Sequence, residues 1–191
     1  MYFNRRLNSH KIIQCFRIKE KMAGLGTKGF FNSKTPEVAL KSIFSKYDVD
    51  ESGQLSQNEL MVLFKEDLGF DDQQSKIYSL LLDKDGNGEV SWEEFALWMR
   101  SGERLKNITE ISRYTLLAKA VDFFCRYDLD NNQALDRNEF TTLFKEMGGD
   151  MVNLDGALEE LDRDHNNVIS FPEFLRWLNW IPLEDFWIWT D

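Results

Sequence analysis

From residue 36 to residue 180 the chain alternates between two kinds of segment. Apolar side chains recur at three- and four-residue intervals, as on one face of a helix, and each such run is cut by an acid-rich polar stretch. Thr35-Pro36-Glu37 predicts a helix start, with Thr35 as cap, Pro36 in the first helical position and Glu37 at the positive end of the dipole. Val38, Ile43, Phe44 and Tyr47 then mark its inward stripe. A second helix carries Leu60, Leu63 and Phe64 to about Leu68, where Gly69 stops it. Asp71 begins a third, with Ile77, Leu80 and Leu81 inward, and Trp92, Phe95, Trp98 and Met99 define a fourth that frays near Gly102.

The second half repeats this plan. Residues 101–110 are polar and read as a joint, with Asn107 or Thr109 capping a long helix that carries Leu116, Leu117, Ala120, Phe123, Phe124 and Tyr127. Phe140, Leu143 and Phe144 lie on the next helix, which Gly148-Gly149 breaks. Leu154, Leu158 and Leu161 form a weaker one. Phe171, Phe174, Leu175, Trp177 and Leu178 form the last face, with Pro172 near its start, where a missing N–H is tolerated. The expected organisation is a basic extension at 1–34, a first helical unit at 35–102, a second at 103–181 and an aromatic tail at 182–191.

The polar stretches carry the chemistry. Asp83 to Glu94, DKDGNGEVSWEE, places oxygen donors at positions 1, 3, 5, 7, 9 and 12 of a twelve-residue loop. These are Asp83, Asp85, Asn87, the carbonyl of Glu89, Ser91 through a water, and Glu94, with Gly88 at the turn in position 6. The frame recurs at 48, 128 and 162. The first loop offers Asp48, Asp50, Ser52, the Gln54 carbonyl, Ser56 and Glu59. The third offers Asp128, Asp130, Asn132, the Ala134 carbonyl, Asp136 and Glu139. The fourth offers Asp162, Asp164, Asn166, the Val168 carbonyl, Ser170 and Glu173. Position 8 is aliphatic in every loop (Leu55, Val90, Leu135, Ile169), as a short antiparallel ribbon joining two loops requires.

The loops differ at the turn. Gly53 and Gly88 suit the positive φ of position 6, but Gln133 and Asn167 stand there in the third and fourth. Asn tolerates the left-handed region, whereas Gln costs roughly 1 kcal/mol. Asp136 gives the third loop the most charged donor set. Every loop ends in Glu, long enough to chelate with both oxygens, which suits calcium better than the compact octahedron of magnesium.

In these loops and their spacing the chain resembles the EF-hand superfamily, the group of calmodulin, troponin C and the sarcoplasmic calcium-binding proteins, over roughly residues 36–180. The resemblance implies an all-α fold: four helix-loop-helix units in two pairs, with a short antiparallel ribbon between the loops of each pair. It also implies up to four calcium ions, with magnesium as a competitor.

Composition adds charge asymmetry. Residues 1–28 hold seven basic residues and one acid, leaving 16 basic residues against 32 acids in the remainder. The acidic body argues against nucleic acid as a partner and suits cations and basic peptides. The basic start leaves three readings open: an extension preceding an alternative start at Met22, a mitochondrial transit peptide over about residues 1–21, or an amphipathic segment (Ile12, Ile13, Phe16) that docks on an acidic surface. Cys15 and Cys125 are the only cysteines, which suits a reducing compartment, and Cys125 reads as a small buried hydrophobe. A cytoplasmic location is expected, or a mitochondrial one if the transit reading holds. No apolar run reaches the length of a transmembrane segment.

The leading functional reading is a calcium sensor. Metal would draw Glu59, Glu94, Glu139 and Glu173 over their loops, swing the exit helices and expose a groove for an amphipathic target helix. Met61, Met99 and Met147 on the exit helices are candidate groove contacts. The alternative is a buffer of the sarcoplasmic type whose core stays closed, toward which six Trp and fifteen Phe lean. Trp177, Trp180, Ile181, Leu183, Phe186, Trp187, Ile188 and Trp189 crowd the C-terminus; this tail is expected to fold into a groove of its own protein or to meet another subunit. An enzyme is not expected. No nucleophile–base arrangement or phosphate loop stands out, and His10 and His165 are not on core helices, unlike the pocket histidines of photoproteins in this superfamily.

Overall fold

A computed structural model describes residues 35–101 and 111–178. The basic N-terminal segment, the proposed caps Asn107 and Thr109 and the tail beyond Leu178 lie outside the described residues.

The first half comprises α1 (Glu37–Tyr47), β1 (Gln54–Leu55), α2 (Gln57–Met61) running on as a π-helical turn (Val62–Asp67), α3 (Asp72–Leu82), β2 (Val90–Ser91) and α4 (Trp92–Arg100). The second comprises α5 (Ile111–Tyr127), β3 (Ala134–Leu135), α6 (Arg137–Glu146), a 3-10 turn at Met151–Asn153, α7 (Leu154–Leu161), β4 (Ile169–Ser170) and α8 (Phe171–Leu178). The aliphatic residues at position 8 pair as their spacing requires: Leu55 faces Val90 and Leu135 faces Ile169 in two antiparallel ribbons. All four side chains are buried, which contributes about 1.5–3 kcal/mol each.

At α1 two expectations need correction. Pro36, not Thr35, stands at the N-cap, and a proline side chain has nothing to cap with. The Pro36 carbonyl takes the first bonds, from the N–H groups of Ala39 and Leu40, which leaves Thr35 one position too early. Val38 is 81 % exposed rather than inward. The buried stripe is Leu40, Phe44 and Tyr47, and Val38 lies two residues from Leu40, about 200° around the helix. By contrast Asp71 caps α3 as expected, in a reciprocal box with Gln74.

Between α2 and Gly69 the helix widens. The Leu68 N–H reaches back five residues to the Leu63 carbonyl at 3.0 Å, and Gly69 then takes φ +70° to end the segment. This turn leaves Leu63, Phe64 and Leu68 all fully buried.

Aromatic rings fill the interior of both halves. Phe44 meets Phe95 edge-on at 5.4 Å and Phe64 meets Trp98 at 5.8 Å; Phe124 meets Phe174 at 5.2 Å and Phe140 meets Trp177 at 5.5 Å. The buried residues of the two halves form one continuous core. Its centre is α3, buried on every side from Gln74 to Leu82 except at Lys76, because it packs within its own half and also against α5 and α8 of the other.

Candidate metal centres

Each polar loop is bounded by a helix that ends at its first residue and a helix that begins after its ninth. The same geometry appears four times. The position-1 carboxylate accepts the N–H groups of positions 5 and 6: Asp83 takes Asn87 at 3.1 Å and Gly88 at 2.9 Å, and Asp162 takes Asn166 at 3.0 Å and Asn167 at 2.9 Å. Asp48 and Asp128 do the same in their loops. The carboxylate at position 3 accepts the position-5 N–H as well, as Asp85 does from Asn87 at 3.2 Å.

The position-12 glutamate is folded over each loop. Glu94 Oε1 accepts the Lys84 N–H at 2.7 Å, while Oε2 accepts the Ser91 N–H and hydroxyl, each at 2.8 Å. Glu59, Glu139 and Glu173 make the matching bonds to the position-2 amides of Val49, Leu129 and Arg163. Carboxylate oxygens therefore converge in four groups: Asp48–Asp50–Glu59, Asp83–Asp85–Glu94, Asp128–Asp130–Glu139 and Asp162–Asp164–Glu173, with one oxygen from each residue inside 4.8 Å of the others.

The remaining expected donors fall around these groups. Ser52 at position 5 bonds Asp48 and the Gln54 carbonyl, the latter at 3.0 Å. Asn87, Asn132 and Asn166 each donate from the amide nitrogen to the position-3 carboxylate and accept the position-7 N–H on the amide oxygen. Gln54 and Ala134 lie in β1 and β3, and Glu89 and Val168 immediately precede β2 and β4. Position 9 is an N-cap. Ser56, Ser91 and Ser170 each accept the amide of their own loop's glutamate. Asp136 does likewise, its Oδ1 accepting the Asn138 and Glu139 amides at 2.7 and 2.8 Å. The extra charge of the third loop is thus directed at a helix N-terminus, and Asp136 is not among the converging carboxylates.

The turn positions answer the question that Gln133 raised. Gly53, Gly88, Gln133 and Asn167 all take positive φ, between 68° and 84°, so the turn is made with or without glycine.

Electrostatics separate the first loop from the rest. Burial, with Glu94 and Asp85 beside it, pushes the Asp83 carboxyl up to about 8. Burial also raises Glu94, Asp128, Asp164 and Glu173 above the usual carboxylate range. In the open first loop the balance reverses. Burial works to raise Glu59 too, but the Ser56 hydroxyl and amide and the Val49 amide outweigh it, and its carboxyl is lowered. Crowded, partly desolvated carboxylates repel one another unless a cation sits among them. The donors are oxygen throughout, which fits a hard divalent ion such as calcium.

No residue type marks the position-2 amides that hold the glutamates, because a backbone N–H belongs to any residue. Val49 and Leu129 supply it with side chains 80 % and 74 % exposed. Two contacts between the halves were also missed: the Gln133 side-chain amide donates to the Gly88 carbonyl at 3.4 Å, and the Asn166 amide donates to the Asp85 carbonyl at 2.5 Å.

Comparison with known proteins agrees with this geometry. The EF-hand domain pair family matches twice, over residues 37–100 and 118–178. Calcium-binding protein CML19 of Arabidopsis thaliana is 30% identical over 156 residues, covering 78% of this chain and 86% of that protein. Probable calcium-binding protein CML13 of Oryza sativa subsp. japonica is 29% identical over 83% of this chain and 89% of its own length. Troponin C, isoform 1, of Homarus americanus is 26% identical over 74% of this chain and 93% of its own. Among the described residues no helix is long and apolar enough to cross a membrane. Four oxygen-lined loops in two ribbon-joined pairs, matched twice by the family of that architecture, place this chain in the EF-hand family as a calmodulin-like calcium-binding protein.

Proposed function

We propose that each loop holds one calcium ion through the donors at positions 1, 3, 5, 7 and 12, and that the chain takes up calcium while keeping its core closed, as a buffer does. The ligands are the residues named above for those positions, with the position-9 side chains reaching the ion only through water. The observation that carries this reading is the burial of the exit helices while every position-12 glutamate is already drawn over its loop. Phe95, Trp98 and Met99 on α4 are at most 1 % exposed, and Phe140, Leu143 and Phe174 are fully buried. Opening a groove would separate α3 from α5 and α8 and expose one shared core rather than a single half. The three methionines of the exit helices do not make a common surface: Met99 is in the core and Met147 is 48 % exposed.

A sensor is the second reading. Met147, Met151 and Val152, exposed within six positions of one another, offer a partner an apolar foothold, and a troponin C is among the relatives. Calcium titration followed by tryptophan fluorescence and by an apolar dye together, repeated in magnesium, separates the two. Ion uptake without dye binding is expected. Uptake that exposes dye-binding surface overturns the buffer reading in favour of the sensor.

A further inference from the structure

Position 4 is left-handed in all four loops: Glu51, Gly86, Asn131 and His165 have φ between 57° and 67°. Three of the four carry side chains there, so the turn itself does not demand glycine. Gly86 differs in its neighbours. A Cβ on it would meet the Ala134 Cβ at 3.2 Å and the Ser170 Cα and Cβ at 3.3 Å, which belong to β3 and β4 of the other half. The second loop is therefore seated on the ribbon that joins the third and fourth.

The seat is polar as well as close. The Asn166 amide nitrogen donates both to Asp164 Oδ2, at 3.1 Å, and across the junction to the backbone carbonyl of Asp85. Its amide oxygen faces the loop and accepts the Val168 N–H at 3.0 Å. Asn166 is the position-5 donor of the fourth loop and Asp85 the position-3 donor of the second, so the orientation of one donor is fixed in part by the backbone of another site. Gln133 makes a parallel link to Gly88, joining the turn of the third loop to that of the second. Behind these loops the Tyr114 hydroxyl donates to the Gln73 side chain at 3.2 Å, in the region where α3 packs against α5.

We propose that the second loop couples the two halves: filling it with calcium raises the affinity of the fourth loop, through the seat of Gly86 on the β3–β4 ribbon and the Asn166–Asp85 hydrogen bond. An ion in the second loop fixes Asp85, and a fixed Asp85 carbonyl holds the Asn166 amide in the orientation that turns its oxygen toward the fourth site. By linkage the fourth loop raises the affinity of the second by the same factor. This rests on the ligand assignment of the preceding subsection.

The test uses the full chain and nuclear magnetic resonance, reading the Gly88 amide for the second loop and the Asn167 amide for the fourth, since each donates to the position-1 carboxylate of its own site. Calcium is titrated into the parent and into Glu94→Gln, which disables the second loop. The Asn167 midpoint is expected to move to higher calcium by roughly fivefold or more. In a Gly86→Asn background the same disabling substitution is expected to leave the Asn167 midpoint unchanged. Asn holds the left-handed position-4 conformation at Asn131, so the loop keeps its turn while the seat is lost. Gln133→Gly, which removes the parallel link and supplies a turn glycine, provides a second background in which the shift is expected to shrink. If both amides respond to calcium and the Asn167 midpoint is the same in the parent and in Glu94→Gln, the coupling is disproved, whatever becomes of the junction variants. If the amides do not respond to calcium at all, the ligand assignment has failed and the coupling falls with it.

Discussion

The hydroxyl of Tyr127 donates to Glu146 Oε2 at 2.7 Å, tying the end of α5, which leads into the third loop, to the end of α6, which leaves it. The first half repeats the clasp at the same place: Tyr47 donates to Asp67 Oδ2 at 2.5 Å, with Lys46 on the same oxygen at 2.7 Å. In each case the tyrosine immediately precedes the first acid of its loop. The ring is buried among apolar side chains and the hydroxyl emerges to meet a carboxylate. The clasp bridges the helices on either side of a loop.

Removing a clasp should cost little stability but leave a clear spectroscopic trace. Tyr127→Phe and Tyr47→Phe are each expected to lose about 0.5–1 kcal/mol in chemical denaturation. The hydrogen bond to Glu146, then burial, raises the Tyr127 phenol; burial, then Asp67, raises that of Tyr47. A phenol raised in the folded state stabilises the fold fully below its ordinary value of about 10 and loses that contribution as pH climbs through the folded value. An alkaline titration followed by tyrosinate absorbance should therefore show a late component that each Phe substitution diminishes. Ionisation of both rings with the first tyrosines would show that the clasps do not persist in solution.

Ser79 offers a prediction with the opposite sign. It lies on the buried helix α3 at 1 % exposure, and its hydroxyl meets no hydrogen-bond partner among the described residues. A buried hydroxyl left unpaired costs about 1–3 kcal/mol, and Ala is the better helix former by about 0.5 kcal/mol. Ser79→Ala is expected to raise stability by about 1 kcal/mol in denaturant titration. A loss of stability would mean that the hydroxyl is satisfied after all.

Stoichiometry tests the sites one at a time. Glu94→Gln keeps the shape of the side chain but removes the charge from one of the four converging groups. Equilibrium dialysis at about 100 µM free calcium, where a fourth loop weakened roughly fivefold still fills, should recover one ion fewer than the parent binds. The neighbouring Glu93→Gln, on an exposed side chain outside the group, should leave the count unchanged. Equal counts for the parent and Glu94→Gln would remove Glu94 from the ligand set.

Much of this protein is legible along the chain because its information is local. A twelve-residue loop places its donors by sequence offset alone, so Asp83, Asp85 and Glu94 converge as their spacing requires, and the residue at position 8 meets its partner in the ribbon for the same reason. Helical periodicity likewise identified Phe44, Phe95, Phe124 and Phe174 as core. It failed at Val38, where hydrophobicity without the correct angular position was not enough. What the chain could not disclose depends on contacts between residues far apart in it. That α3 would be buried on nearly every side, that Gln133 would meet Gly88, and that a Cβ on Gly86 would crowd Ala134 and Ser170 follow from one half resting on the other. No spacing rule encodes such a contact, because it is set by how two already folded faces fit together.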